Sequence, residues 1–381
     1  MGETQGWDCH FSLFSVAIGA YAMKPRATPT GRLWLRGLLT VFALVVIAPL
    51  NAQAGITEII DATGDDGGNT LSFPVGIAVD GAGNVYVVGL FDHNAFKITP
   101  GGVITQIIDA AGDGGGNPLE QPQEIAVDAS GNVYVTGEVS HNAFKITPGG
   151  IITEIIDATG DGGGNTLMFP WGIAVDGAGN VYVTGMITGN AFKITPGGVI
   201  TEIIDATGDG GGNTLSSPPD IAVDGEGNVY VTGYDSDNAF KITPGGVITE
   251  IIDATGDGGG NILDLPWGIA VDGAGNVYVT GFFSGNAFKV TPGGVITEII
   301  DATGDGGGNI LSGPQDIAVH GEAIVYVPGR GSHNAFKITP PFGTGGVVPA
   351  LSLRGALLAL LLLFLGAAVA GLSRRQRRSV V

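Results

Sequence analysis

Between residues 55 and 340 the chain alternates short apolar runs with stretches of Gly, Asp, Asn, Thr and Pro. Residues 173–204 show the pattern. The runs there are Ile173-Ala174-Val175, Val181-Tyr182-Val183, Ala191-Phe192-Lys193-Ile194-Thr195 and Val199-Ile200-Thr201-Glu202-Ile203-Ile204. β-Branched and aromatic residues dominate them, which predicts strands. The first two are apolar throughout, as in strands covered on both faces, and the last two alternate, as in strands nearer solvent. Between them, Asp176-Gly177-Ala178-Gly179-Asn180 and Thr195-Pro196-Gly197-Gly198 supply the residues that tight turns demand. No run has the length or the period of a helix.

This unit occurs six times at a spacing of 48 residues. Ile-Ala-Val-Asp begins at Ile77, Ile125, Ile173, Ile221 and Ile269, and a sixth copy at Ile317 ends in His320. Asn-Ala-Phe-Lys begins at Asn94, Asn142, Asn190, Asn238, Asn286 and Asn334. Such a period marks an array whose units bury their apolar faces only against one another. Four strands per unit, a to d, make a propeller blade. The reading is therefore an all-β, six-bladed β-propeller of four-stranded blades over residues 55–340. A d-type run, Ile56-Thr57-Glu58-Ile59-Ile60, precedes the first unit, and none follows the last c-type run. The N-terminal strand is expected to complete the last blade and close the ring, leaving no exposed edge.

Pro170-Trp171-Gly172-Ile173-Ala174-Val175-Asp176, followed by Gly179-Asn180-Val181-Tyr182-Val183-Thr184-Gly185, resembles the NHL repeat. It is also similar to the related bacterial beta-propeller repeat with its Gly-Asn-Val-Tyr-Val-Thr-Gly signature. The resemblance runs through all six units. It implies the propeller fold and leaves activity open, since binding modules, lactonases and lyases share such repeats.

Charge narrows the partners. Of the 36 acidic residues 34 lie between 55 and 340, beside only seven of the 16 basic ones. So acidic a body repels nucleic acid and anionic surfaces and favours cations or neutral ligands. The flanking segments read as addresses. Lys24, Arg26, Arg32 and Arg36 lead into and through the apolar segment 33–50, and Ala52-Gln53-Ala54 follows. Residues 1–54 are thus read as an N-terminal extension and signal peptide, with Met23 as the expected true start. The single cysteine, Cys9, lies there, so the mature protein is expected to have no disulfide, thiolate or Cys-based metal site.

Residues 341–355 read as a linker. Ala356 to Leu372 is an uncharged run at the short limit for a transmembrane helix. Arg374, Arg375, Arg377 and Arg378, in the tail 373–381, should keep that end cytoplasmic. The segment Val348-Pro349-Ala350-Leu351-Ser352-Leu353-Arg354-Gly355 precedes the run. This layout resembles the IPTL-type C-terminal sorting signals read by exosortase-like membrane enzymes, with Leu353 and Arg354 replacing the usual acidic residue and tryptophan. The resemblance implies a sorting protease as a partner, and a plain membrane anchor is the alternative. The expected location is the bacterial cell envelope, anchored or surface-released after processing.

Comparing the units with one another locates the candidate chemistry. Variation gathers in the b-to-c loops, such as Tyr234-Asp235-Ser236-Asp237 and Phe282-Phe283-Ser284-Gly285, and around the proline before strand a. Antiparallel strands place both sets on one face. Trp171, Trp267, Phe283, Tyr234 and Arg330 are the expected ligand contacts, and aromatics around a concave mouth suit an extracellular or periplasmic carbohydrate, peptide or protein. Drift in unconstrained loops is the competing reading.

The d-to-a loops are candidate calcium sites, with oxygens at positions 1, 3 and 5 and Gly at 6, as in the first half of an EF-type loop. The fifth unit is the most complete, with Asp253, Thr255, Asp257, Asn261 and Asp264, and the second supplies Asp109, Asp113 and Glu120. A solvated Asx and Gly turn explains the same residues. His93, His141 and His333 share one loop position, but equivalent positions of neighbouring blades sit well apart, which argues against a shared zinc. The Asp80 series is expected to cap the a-to-b turn.

A catalytic propeller takes chemically different residues from different blades. Strands a and b read as almost six-fold repeated, with no Ser-His-Asp set and no singular acid pair. The expectation is a non-catalytic binding or scaffold module. The alternative is a metal-dependent lactonase or lyase, resting on the asymmetry of Glu138, Arg330 and His333.

Overall fold

The computed structural model describes residues 57–340 apart from Asp66, Glu322 and Ala323. Six antiparallel sheets follow one another along the chain and form the blades of a propeller ring. Among the described residues five have four strands in the order a-b-c-d, and the sixth has three. In blade 3 the strands are Pro170–Val175, Val181–Gly185, Asn190–Ile194 and Ile200–Ile204. Val181 pairs with Val175 on one side and with Ile194 on the other. Equivalent residues pair in blades 2 and 5. A slip of one residue would turn the buried row outward, so the apolar pattern fixes the register. Strand b is buried along its whole length in blades 2 to 5, as its uninterrupted apolar run requires.

The core lies between blades. Tyr134 and Ile156 of blade 2 pack with Ile173, Val183 and Phe192 of blade 3, and the same set recurs at the next interfaces. Each large side chain buried this way contributes about 1.5–3 kcal/mol. That gain exists only where a neighbour supplies the other wall. The a-to-b turn is tied into the same layer. The Asp176 carboxylate accepts the N–H groups of Ala178 and Asn180 at 2.9 Å each, the Asn180 amide at 2.7 Å and the Tyr182 hydroxyl at 2.9 Å. The Asp80 series therefore caps its turns as expected. In blade 6 His320 replaces that aspartate, strand a shortens to Ala318–His320, and Tyr326 is 38% exposed.

One expectation is corrected. Among the described residues Thr57–Ile60 form no ladder, and the sixth sheet has three strands, the last being Asn334–Ile338. Ile60 packs on the first blade's core, beside Phe96 and Ile98. This short segment keeps its apolar contact with blade 1 and forgoes pairing with blade 6. Strand-a side chains are more exposed at this seam than at the others. Ile77 and Val79 are 59% and 61% exposed, whereas Ile125, which matches Ile77, is 3% exposed. The expected signal peptide, linker, sorting-like motif and transmembrane segment lie outside the described residues. Among the described residues no helix is long and apolar enough to cross a membrane.

Candidate functional site

One cavity, of about 470 Å³, draws on all six blades. Phe73, Glu124, Trp171, Asp220, Trp267 and Asp316 line it, one from each blade. Leu90 and Arg330, from b-to-c loops, join them. The two variable sets therefore meet on one face.

Strained backbone positions shape this mouth. The residue before the strand-a proline is left-handed, with φ of 54° at Phe73, 50° at Gln121, 54° at Phe169, 51° at Ser217 and 50° at Leu265. That conformation costs an L-residue roughly 1–2 kcal/mol. Neighbouring blades help to hold it. His93 Nδ1 accepts the Gln121 N–H at 2.8 Å, His141 Nδ1 the Phe169 N–H at 3.1 Å, and Asp237 the Leu265 N–H at 2.8 Å. Two of the three loop histidines thus act as inter-blade acceptors, which requires the neutral imidazole with its proton on Nε2.

The aromatic residues form one cluster. The Trp171 and Trp267 rings pack at 5.1 Å and 47°. Tyr234 meets Trp267 edge-on at 5.2 Å, and Phe282 lies 5.6 Å from the same indole. Trp171, Trp267 and Tyr234 are therefore brought together. Phe283 is not: it is 73% exposed and lines a separate groove with Asp264 and Ser284, while its neighbour Phe282 joins the indoles. Arg330 stands at the cavity and donates to Gln315 Oε1 at 3.0 Å. Gln123 donates to the Glu138 carboxylate on the same face.

The channel also carries groups that the repeat pattern hides. The residue before each Ile-Ala-Val run is Gly76, Glu124, Gly172, Asp220, Gly268 and Asp316. Odd blades have glycine and even blades have acid, so the period here is two units. The expected six-fold repetition without singular acids is corrected at this position. Close packing explains the glycines. A Cβ on Gly172 would lie 2.9 Å from Asp220 Cα, and one on Gly268 would lie 2.8 Å from Asp316 Cα. The even blades tie the opposite seams. Asp220 accepts the Ile221 N–H at 2.7 Å and, across the seam, the Ile269 N–H at 2.8 Å. The Thr136 and Thr232 hydroxyls donate to the carbonyls of Trp171 and Trp267 at 2.9 and 2.8 Å.

The three carboxylates share one electrostatic situation. Glu124 and Asp316 accept the N–H of the following isoleucine at 3.2 and 2.7 Å. Among the described residues no lysine or arginine donates to any of the three. Enclosure by the channel walls pushes Asp220 up to about 7, with the Asp316 charge adding to it. Enclosure also lifts Glu124 well above the usual carboxylate range, reinforced by the charges of Asp220 and Asp316. Asp316 is raised by the same enclosure.

The calcium candidates direct their oxygens into their own loops. Asp253 accepts the Thr255 N–H at 2.8 Å and its hydroxyl at 2.5 Å. Asp257 accepts the Gly259 N–H and the Asn261 amide at 2.8 Å each. Asp109 accepts the Ala111 N–H at 2.9 Å, and Asp113 accepts from Gly115 at 2.8 Å and from Asn117 at 2.9 Å. The backbone N–H groups of Asp264 and Glu120 donate to Ser284 and Ser140 hydroxyls at 3.3 and 3.1 Å. Among the described residues no group of three or more His, Cys, Asp or Glu is placed to hold a metal ion.

Comparison with known proteins bears on the fold. The SBBP beta-propeller repeat matches residues 53–95, 160–193 and 208–234. These matches fall within the repeat array that forms the blades. This propeller is similar to a catalytically inactive virginiamycin B lyase from Staphylococcus aureus solved with quinupristin, with 20% identity and a TM-score of 0.56 over 73% of this chain and 85% of that one. A streptogramin B lyase matches at 17% identity and a TM-score of 0.55, over 72% and 85%. An auxiliary nutrient binding protein from Bacteroides thetaiotaomicron matches at 14% identity and a TM-score of 0.50, over 71% and 69%. At these identities the likeness is one of fold. No curated protein matches the sequence.

Proposed function

We propose that this protein is an envelope-anchored propeller that binds a carbohydrate, peptide or protein ligand at its aromatic mouth, without turning it over. The single observation behind this reading is the way variation is distributed. The turns on the opposite face repeat almost unchanged. Within the mouth, six blades place six different surroundings around one cavity of about 470 Å³. Trp171 and Trp267 are half-buried and already packed by Tyr234 and Phe282, so a ligand would meet an ordered surface and little ordering cost. A concave, partly apolar site with a few convergent polar groups suits recognition. The envelope location rests on the flanking segments, which would keep the mouth outside the membrane.

The test is a glycan and peptide array probed with the full-length protein and with a Trp171→Ala/Trp267→Ala variant of matched thermal stability. Spots bound by the wild type should lose at least about tenfold in affinity in the variant, as for aromatic anchors. Unchanged binding by the variant would place the ligand elsewhere.

A further inference from the structure

We propose that the mouth selects ligands carrying an organic ammonium group, seated against the Trp171–Trp267 pair with its charge toward the channel carboxylates. This rests on the mouth being the binding site. The ligand class follows from what surrounds the cavity. The two indoles pack on each other with centroids 5.1 Å apart and planes at 47°, and Tyr234 braces Trp267 edge-on. A cation within about 6 Å of an indole face is held by the ring quadrupole, and tryptophan is the best of the aromatic residues for this. Indole faces alone would also take a sugar, so the charges decide.

Glu124, Asp220 and Asp316 stand on alternate blades and face one cavity from three directions. Their hydrogen bonds come from backbone N–H groups. Four other charged groups bear on the mouth. Asp235 and Asp264 act on Tyr234, whose hydroxyl is raised by burial and then by their charges. Arg330 is tied to Gln315 at the rim, and Glu138 is tied to Gln123. The wider field has the same sign, with 34 acidic residues against seven basic ones between 55 and 340. A concave site lined by one sign of charge concentrates the opposite ion.

Other occupants fit less well. An anion would oppose ionisation of three carboxyl groups that enclosure already holds above the usual carboxylate range. A neutral sugar would leave any ionised member of the three without a counter-charge. A calcium ion needs six to eight oxygens at about 2.3–2.6 Å, and no described cluster of His, Cys, Asp or Glu is placed to hold a metal. An alkylammonium is larger and less demanding in geometry, and it uses the aromatic wall and the carboxylates together. Its charge would also favour ionised Glu124, Asp220 and Asp316. Binding should therefore release protons and tighten as pH rises through about 7, where Asp220 titrates.

The ammonium could belong to a small molecule or to a lysine side chain, and the experiment separates the two. Trp171 and Trp267 are the two tryptophans between 55 and 340, and their share of the fluorescence, taken as the difference from a Trp171→Phe/Trp267→Phe variant that retains Trp7 and Trp34, reports the mouth. Full-length protein in a non-ionic detergent is titrated with choline and with its uncharged isostere, 3,3-dimethyl-1-butanol. Parallel titrations use a glycine pentapeptide with one central lysine, and the same peptide acetylated on that lysine. We expect the charged member of at least one pair to bind about tenfold or more tighter than its neutral partner. The better charged probe then identifies the source. The Asp220→Asn/Asp316→Asn variant should lose this preference. Because those residues also tie strands, Arg330→Gln serves as a second variant. Removing the rim cation should tighten ammonium binding by roughly threefold. Equal binding of charged and neutral partners overturns the proposal. So does a neutral array ligand that binds through Trp171 and Trp267 while neither ammonium probe does, an outcome that leaves the mouth itself in place. Loss of every mouth-dependent ligand would overturn both readings.

Discussion

Replacing Asp176 with alanine tests whether the buried tyrosine layer is held by the turn above it. The carboxylate accepts four hydrogen bonds, from the Ala178 and Asn180 N–H groups, the Asn180 amide and the Tyr182 hydroxyl. Water can replace it for the two backbone donors, so these cost little. The Tyr182 hydroxyl belongs to a side chain that is 2% exposed, and leaving it unsatisfied costs about 1–3 kcal/mol. With the loss of a pre-formed turn, the total is about 3 kcal/mol. For a domain of this size that is a fall in Tm of roughly 6–10 °C.

The assay is thermal and urea unfolding of wild type, Asp176→Ala, Tyr182→Phe and the double variant. Tyr182→Phe alone should cost about 1 kcal/mol. In the Asp176→Ala background it should be neutral or stabilising, because it removes the orphaned hydroxyl. Strictly additive effects, or a cost for Asp176→Ala under about 0.5 kcal/mol, would refute the reasoning.

Three further outcomes follow from the seams. Enclosure raises Asp220 from 3.8 to about 7, and the folded state then binds more protons than the unfolded one across that window, so stability falls as pH rises through 7. Asp80 is held at about 2 by its bonds to Asn84 and neighbouring donors, so its contribution is present above 3.8 and lost as pH falls toward 2. Tm should peak near pH ~4, and a Tm still rising up to pH ~8 would contradict this. Gly268→Ala pushes a Cβ to 2.8 Å from the backbone of Asp316 and should lower stability by about 1–3 kcal/mol in urea unfolding, where an unchanged midpoint would count against the close approach. His141→Ala should cost about 1–3 kcal/mol by orphaning the Phe169 N–H, and His141→Asp should recover most of it, since Asp237 does the same task for Leu265.

The repeat made the fold legible. A fixed spacing of 48 residues and four apolar runs per unit led to the blades, and Asp-Gly-Ala-Gly-Asn led to the capped turns. The convergence of the variable loops on one face also followed, because antiparallel strands alternate their ends. Three features did not follow. The acids at 124, 220 and 316 alternate with glycine beside a nearly invariant Ile-Ala-Val run, and attention to the shorter period hides the longer one. The signal was present in the letters: Gly and Asp or Glu at one position in strict alternation. Phe282, and not Phe283, joins the indoles because the b-to-c loop breaks the period of two, leaving side-chain direction to the turn. The third is the sixth sheet, where the expected pairing of Thr57–Ile60 with Asn334–Ile338 is absent among the described residues and Ile60 packs on blade 1.

Fluorine NMR of the full-length protein carrying 5-fluorotryptophan tests the mouth most directly. Its four tryptophans are Trp7, Trp34, Trp171 and Trp267. Titration with a ligand taken from the arrays should move the Trp171 and Trp267 resonances together, saturating at one ligand concentration. A ligand that binds tightly while both resonances stay in place would contradict a binding site at the aromatic mouth.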